Sequence, residues 1–174
     1  MSTVSRTLET AQMPEPSRQT LDTWAHLRTA WCELVRNARS TLMLGEADLL
    51  ALELDTVHVH EALRHSLPRL RPGGMRIVLV DARPLLNHLP RTRALLTDYA
   101  HIASVRVAAE RDLPAMAQAM LIADARHVLI RPRHDRARAI LESDAPLRAR
   151  ALSAHLETIW GAASNANIGA VLGL

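Results

Sequence analysis

Two short apolar stretches surround a compact turn between residues 117 and 131, and this pattern constrains the fold more than any other. The first stretch ends at Ala123 and the second starts at His127, with Asp124, Ala125 and Arg126 between them. Short apolar runs that are separated by turn-forming residues are typical of buried strands joined by a tight connection. The pattern therefore predicts an antiparallel β-hairpin.

Helical and strand-like patterns alternate along the rest of the chain. Apolar residues recur at three- and four-residue spacing in the predicted helices, and the predicted strands are short apolar runs. Residues 131–144 are polar and arginine-rich, which predicts an irregular loop. The predicted helices cover 21–38, 56–70, a stretch from 85 or 91 to 99, and 146–163, and the predicted strands cover 41–44, 75–80 and 102–107. This alternation favours an α/β domain, a layered sheet with flanking helices and a hairpin before the last helix.

The same patterns predict one domain with a short extension at each end. Residues 1–19 are polar, contain Pro14 and Pro16 and lack the apolar core of a signal peptide, so they are expected to be a flexible N-terminal segment. Residues 20–163 form the predicted domain, and residues 164–174 are expected to be a C-terminal tail. Since no apolar run reaches the length of a membrane span, we expect a cytoplasmic protein without a membrane partner.

Charge and cysteine content limit the classes of partner. All 21 basic residues are arginine, and the net charge at pH 7 is only +3. General nucleic-acid binders usually carry a larger basic excess, so nucleic acid is a possible partner that the composition does not favour. The single cysteine, Cys32, excludes an intrachain disulfide.

The hairpin and the segments around it resemble one half of a phospholipase D superfamily fold. The similar passages are the hairpin, the string ALR…LRPGGMRIVLVD within residues 62–81, and a last helix that ends in Leu-Glu-Thr-Ile-Trp at residue 160. The resemblance extends over about residues 22–162. The chain also resembles a proteobacterial domain group of that fold in which the catalytic residues are lost. A Rossmann-like domain with a β-hairpin is the competing fold, although residues 71–74 precede a strand and so do not match a nucleotide-binding glycine turn.

The resemblance implies that the catalytic motif is degenerate. In the superfamily the hairpin carries a histidine, a lysine two residues later and an aspartate five residues after that. With Asp124 as the aspartate, these positions hold Ala117 and Ala119, and the chain contains no lysine. The resemblance therefore implies that the chain lacks both the nucleophilic histidine and the lysine that holds the phosphate. We expect no catalytic residues, no cofactor and no metal site.

A superfamily half without its chemistry is expected to be a binding or regulatory module. Since superfamily halves pack in pairs, the resemblance implies a homodimer. A protein or a phosphate-bearing ligand is the expected further partner. The predicted ligand-binding residues are Asp81, Arg83, Asp124, Arg131, Arg133 and His134.

Each of these residues also has an ordinary structural interpretation. Asp81 follows a predicted central strand, where open α/β sheets bind ligands, but it can also cap the next helix or pair with Arg83. Asp124 is most simply a turn residue that accepts backbone hydrogen bonds. Arginines of the basic run at residues 126–138 suit phosphate or a nucleic-acid backbone. Alternatively, they belong to a solvated loop in which they pair with Asp135, Glu142 and Asp144.

The alternative function is enzymatic. A divergent phosphodiesterase with a relocated site would use His127, His134 or Arg131, which lie close to the hairpin in sequence. A metal-assisted hydrolase would use the face of the second helix that holds His58, Glu61 and His65. His60 and His65 are five residues apart and point in different directions on a helix, so they do not match the helical zinc signature.

Overall fold

The computed structural model describes residues 17–169, which form an eight-stranded mixed β-sheet and five α-helices. None of these helices is long and apolar enough to cross a membrane. The strands are β1 (Ser17–Leu21), β2 (Leu42–Glu46), β3 (Met75–Leu79), β4 (Ala103–Val107), β5 (Ala119–Ala123), β6 (His127–Arg131), β7 (Ala139–Ser143) and β8 (Ser164–Asn165). The helices are α1 (Trp24–Asn37), α2 (Val57–Ser66), α3 (Arg83–His88), α4 (Pro90–Asp98) and α5 (Pro146–Ala162).

The strands lie in the order β1-β7-β6-β5-β2-β3-β4-β8. Strands β2, β3 and β4 are parallel, and the other neighbours pair antiparallel. We call the end of the sheet at which β2, β3 and β4 finish the carboxyl edge, and the end at which they begin the amino edge. Strand directions place the start of β5 and the end of β6 at the carboxyl edge, and the turn between them at the amino edge.

The predicted hairpin is confirmed. Strands β5 and β6 pair from Ala119 opposite Arg131 to Ala123 opposite His127. The turn is closed by a hydrogen bond that the Arg126 N–H donates to the Ala123 carbonyl, 3.0 Å long. Asp124 and Ala125 both have a φ of 53°, the left-handed backbone conformation that tight hairpin turns need.

The sheet separates two apolar layers, because side chains alternate between its faces. On one face, Leu121 and Leu129 belong to the core formed with α1, α2 and α4. On the other face, Ile122 and Val128 belong to the core formed with α5. The helix packs closely on β2: a Cβ atom at Gly45 would lie 2.8 Å from a Leu156 methyl carbon. The predicted layered α/β class is confirmed.

Three strands lie outside the predicted strand set. Residues 17–19 belong to β1 rather than to a flexible segment, and β7 lies within the predicted loop 131–144. Strand β7 forms because Ala139 is fully buried and Ile140 pairs with Ile130, which extends the sheet beyond the hairpin. Strand β8 lies in the predicted tail and pairs with β4. The remainder of the flexible segment, residues 1–16, and residues 170–174 lie outside the described residues, and the predicted domain limits stay predictions.

Candidate functional site at the carboxyl edge

A buried ion pair joins the ends of two strands at the carboxyl edge. Glu46 ends β2 and Arg131 ends β6, and they are only 3% and 2% exposed. Arg131 Nη2 donates to Glu46 Oε2 at 2.6 Å. Taking two charges out of water costs several kcal/mol for each ion, so such a pair persists only when its remaining polar atoms also have partners.

His134 supplies the next of these partners. Its Nδ1 lies 2.8 Å from Glu46 Oε1, and its Nε2 lies 2.7 Å from the Met116 carbonyl oxygen. The His134 carbonyl oxygen also accepts a hydrogen bond from Arg131 Nη1, and the Ala47 N–H donates to Glu46 Oε1 at 2.9 Å. Both partners of the imidazole are acceptors, so both ring nitrogens must donate. This arrangement holds the protonated imidazolium.

The pKa values agree with this assignment. The hydrogen bond with Glu46 raises the pKa of His134 above its ordinary value and outweighs the opposing effect of burial. Burial pushes the pKa of Glu46 upward, but the hydrogen bond from His134 and the charge of Arg131 outweigh it, and the net pKa is lowered. The cluster therefore consists of a carboxylate held between a guanidinium and an imidazolium.

Trp24 covers the cluster from the first turn of α1. The Arg131 guanidinium carbon lies 5.2 Å from the centre of the indole ring, and that of Arg28 lies 5.6 Å from it. These separations are typical of cation–π contacts. The contact between Trp24 and Arg131 has no signal in the sequence, because it depends on how α1 crosses the end of the sheet.

The cluster lies beside the positions to which the superfamily resemblance assigns the histidine and the lysine. Ala119 is opposite Arg131 in the hairpin, and Met116, whose carbonyl binds His134, immediately precedes Ala117. A cavity of about 10 Å³ remains beside Ala119, Glu46 and Arg131. That volume is about the size of one water molecule, so it has no room for a phosphate group.

Asp81 and Arg83 lie at the same edge, after β3. The Asp81 carboxylate accepts hydrogen bonds from Arg83 Nη2 at 2.7 Å and from the Arg83 backbone N–H at 2.9 Å. The hydrogen bond from the Arg83 side chain lowers the pKa of Asp81. Asp81 therefore pairs with the Arg83 side chain and also accepts a hydrogen bond from the first residue of α3, as both structural interpretations of Asp81 expected. The Arg83 side chain is otherwise open to solvent, at 81% exposure.

Asp124 is the predicted site residue that lies away from the others, at the amino edge. Its carboxylate accepts hydrogen bonds from three consecutive backbone N–H groups, those of Arg39, Ser40 and Thr41, at 2.9, 2.7 and 2.9 Å. The turn interpretation anticipated backbone hydrogen bonds, and the structure adds that they come from the segment that leads into β2. Asp124 thus fastens the hairpin to that segment.

Most arginines of the run at residues 126–138 have carboxylate partners nearby. Arg126 pairs with Asp144, and Arg133 pairs with Asp135 at 2.9 Å. Arg136 and Arg138 lie 3.8 and 3.7 Å from the carboxylates of Asp135 and Asp22. The charge of this run is therefore largely balanced by nearby carboxylates, of which only Asp135 belongs to the run itself. The predicted pairing of Glu142 is instead with Arg18, at 3.7 Å.

The histidine-rich face of α2 has partners of its own. Glu61 binds Arg64 at 3.1 Å, and His65 contacts Arg69. Among residues 17–169, no group of three histidine, cysteine or acidic side chains is placed to hold a metal ion.

Solved structures establish the fold class. Nuc from Salmonella typhimurium, a phospholipase D family member, is 14% identical, with a TM-score of 0.63 over 87% of this chain and 98% of that one. NucT from Helicobacter pylori is 13% identical, with a TM-score of 0.61 over 87% and 99%. TrmBL2, an archaeal chromatin protein, is 17% identical, with a TM-score of 0.61 over 91% of this chain and 56% of TrmBL2, so the chain spans just over half of its length. These similarities show a phospholipase D-like fold.

The family assignment comes from sequence. No curated protein matches the chain. The match to the family described as "Domain of unknown function (DUF7931)" runs over residues 23–167, which include every helix and both hairpin strands. The chain therefore belongs to the DUF7931 family.

Proposed function

We propose that this phospholipase D-like domain is a non-catalytic binding or regulatory module. The observation that carries the proposal is the closed Glu46–Arg131–His134 cluster at the carboxyl edge. Its charged atoms bind one another, and the positions that correspond to the superfamily nucleophile and lysine are Ala117 and Ala119. The domain then retains the scaffold of the superfamily without a nucleophile or a phosphate clamp.

His134 is the natural test of the opposing enzyme hypothesis, because its Nε2 binds the carbonyl next to the position of the superfamily nucleophile. A nucleophilic imidazole needs a free lone pair on one nitrogen. Both nitrogens of His134 face acceptors, and its raised pKa favours the protonated form, which has no lone pair. A relocated phosphodiesterase site at His134 would require this cluster to open first.

One structural neighbour is compatible with a binding role. TrmBL2 is a chromatin protein that shows a novel mode of DNA binding. At 17% identity this neighbour indicates what the fold can support, and the ligand of this chain has to be argued from its own residues.

The direct test is hydrolysis of bis(p-nitrophenyl) phosphate and of plasmid DNA, with and without added divalent cations. We expect no turnover above that of buffer for the wild-type protein. The matched variants are His134→Asn, at the relocated phosphodiesterase site, and His58→Asn, at the relocated metal site. Turnover that either variant abolishes while it remains folded would overturn the proposal.

The proposed module is a cytoplasmic homodimer. The homodimer follows from the pairing of halves in the superfamily. Light scattering coupled to size exclusion measures it directly, with twice the chain mass as the expected result and the chain mass as the contradicting one.

A further inference from the structure

Four arginines lie at the amino edge, which is the end of the sheet opposite the Glu46 cluster. Arg36 is in the last turn of α1 and Arg39 follows that helix, whereas Arg69 and Arg71 lie between α2 and β3. Arg36, Arg39 and Arg71 are exposed, whereas Arg69 is partly buried and its guanidinium contacts the Ala38 carbonyl and His65. We call these four residues the arginine edge.

Backbone contacts hold the two connecting segments side by side. The Arg71 N–H donates to the Ser40 carbonyl at 3.1 Å, and Arg69 Nη2 donates to the Ala38 carbonyl at 3.2 Å. A Cβ atom at Gly74 would lie 2.6 Å from the Ser40 and Arg71 carbonyl oxygens, so only glycine permits this approach. The segments that carry Arg39 and Arg71 are therefore fixed in position before any ligand arrives.

The Asp124 carboxylate also holds the segment before β2 in place, and it does so through backbone N–H groups rather than by pairing with an arginine side chain. Its two oxygens already accept from the backbone N–H groups of residues 39–41. Asp124 therefore orients the Arg39 backbone while the Arg39 side chain projects from an exposed position.

The arginine edge differs from the other arginine-rich surface in its charge balance. Within residues 17–169, no carboxylate oxygen lies within 4 Å of a side-chain nitrogen of its four members. Glu61, on the neighbouring helix α2, is paired with Arg64, and the charge of Arg36 also contributes to lowering the pKa of Glu61. The loop at residues 133–138 is also rich in arginine, but its arginines have Asp135 and Asp22 as partners.

A groove of about 180 Å³ opens beside Arg71. The turn at residues 73–74 and the hairpin turn at Ala125 line the groove, and so does Glu157 of α5, whose carboxylate is bound by Arg76. A Cβ atom built at Gly73 would have no other atom of the described residues within 4 Å, so the groove is open at this position. A phosphate group can approach Arg71 from this groove.

We propose that the arginine edge binds the phosphate backbone of duplex DNA. Guanidinium groups bind phosphate oxygens in pairs, and several uncompensated arginines on a rigid surface release counterions from DNA when they bind it. Asn37, Ala38 and Leu70 separate the arginines in sequence, so these two segments do not interleave arginine with the aromatic residues typical of single-strand binding. The inference deepens the proposed function and rests on it, because it gives the binding module a ligand and a surface.

The test is fluorescence anisotropy of a fluorescein-labelled, mixed-sequence DNA duplex at about 50 to 200 mM salt. The test variant is Arg39→Gln with Arg71→Gln, and the matched control is Arg136→Gln with Arg138→Gln, two arginines that are not among the predicted ligand-binding residues. Both remove two positive charges. We expect the test variant to weaken binding about tenfold and to reduce the salt slope by about two, and the control to remain close to wild type.

Equal weakening in the two double variants would overturn the inference, because net charge rather than the arginine edge would then determine affinity. Absence of binding to the wild-type protein at about 50 mM salt would also overturn it, and an acidic protein surface would become the partner to test. If the double variant unfolds, Arg39→Gln and Arg71→Gln are measured singly, each with an expected slope change of about one. Cleavage of the duplex in the same samples would instead contradict the proposed non-catalytic function, so the two failures are distinguishable.

Discussion

The two edges of the sheet each hold a carboxylate, and they hold it in opposite ways. Glu46 at the carboxyl edge is 3% exposed and binds the side chains of Arg131 and His134. Asp124 at the amino edge is partly exposed and binds only backbone N–H groups. Glu46 thus binds the cationic side chains beside it, whereas Asp124 binds the backbone of Arg39 and not its side chain. The Glu46 cluster at the carboxyl edge is therefore closed, whereas Arg36, Arg39 and Arg71 at the amino edge are exposed to solvent.

The largest expected effect is at the carboxyl edge, where one partner of a buried pair can be removed. Glu46→Gln leaves Arg131 and His134 without a counter-charge in a buried position. We expect it to lower the free energy of unfolding by about 3 to 5 kcal/mol. The matched control is Glu157→Gln, which breaks the exposed pair with Arg76 and should cost less than about 1 kcal/mol. Urea denaturation measures both, and similar costs would contradict the contrast between buried and exposed pairs.

The pH dependence of stability tests the same cluster. Because the pKa of His134 is raised above 6.5, its contribution is complete below pH 6.5 and is lost as the pH rises through the folded-state value. Because the pKa of Glu46 is lowered from 4.5, its contribution is complete above pH 4.5 and is lost as the pH falls through the folded-state value. We expect the cluster to stabilise most between these limits. His134→Asn should remove the decline on the alkaline side, as measured by urea midpoints across the pH range.

At the amino edge, Asp124→Ala removes the acceptor of three backbone N–H groups. Since solvent can partly replace it, we expect a cost of about 1 to 2 kcal/mol, less than that of Glu46→Gln. Asp124→Asn keeps one acceptor oxygen and should recover part of the loss. Chemical denaturation measures both variants, and a cost as large as that at Glu46 would show that the two carboxylates are not held differently.

The smallest effect concerns the hairpin turn. Ala125 adopts a φ of 53°, which is unfavourable for a residue with a Cβ atom. Ala125→Gly relieves this strain but adds freedom to the unfolded chain, so we expect a net gain of about 0.5 kcal/mol. A thermal melt measures the change, and Ala123→Gly, in the adjacent buried strand, is the control that should destabilise.

The hairpin was predictable because it is local, whereas the Glu46 cluster was not. Glu46 and Arg131 are 85 residues apart in sequence, and their contact follows from β2 lying beside β5. A signal did exist: the period of two places Arg131 on the same face of β6 as buried Leu129. An arginine on an inward face predicts a buried acidic partner, although not which one.

Strand β7 was missed for a related reason. Four of its five residues are only partly buried, Arg136 and Arg138 precede it, and Glu142 and Asp144 follow its apolar residues, so the apolar signal of residues 139–141 is weak. The strand depends on the hairpin for one set of hydrogen bonds and on β1 for the other. Such dependence on neighbours is characteristic of strands outside the centre of a sheet.

The most direct test of the non-catalytic assignment is the protonation state of His134, observed by ¹⁵N NMR of the imidazole nitrogens. At about pH 6.5 an ordinary histidine is half protonated. Our account predicts that both nitrogens of His134 carry a proton there in most molecules, because each faces an acceptor. A neutral imidazole with an unprotonated nitrogen would mean that a nucleophile is available at the carboxyl edge, and it would contradict the account.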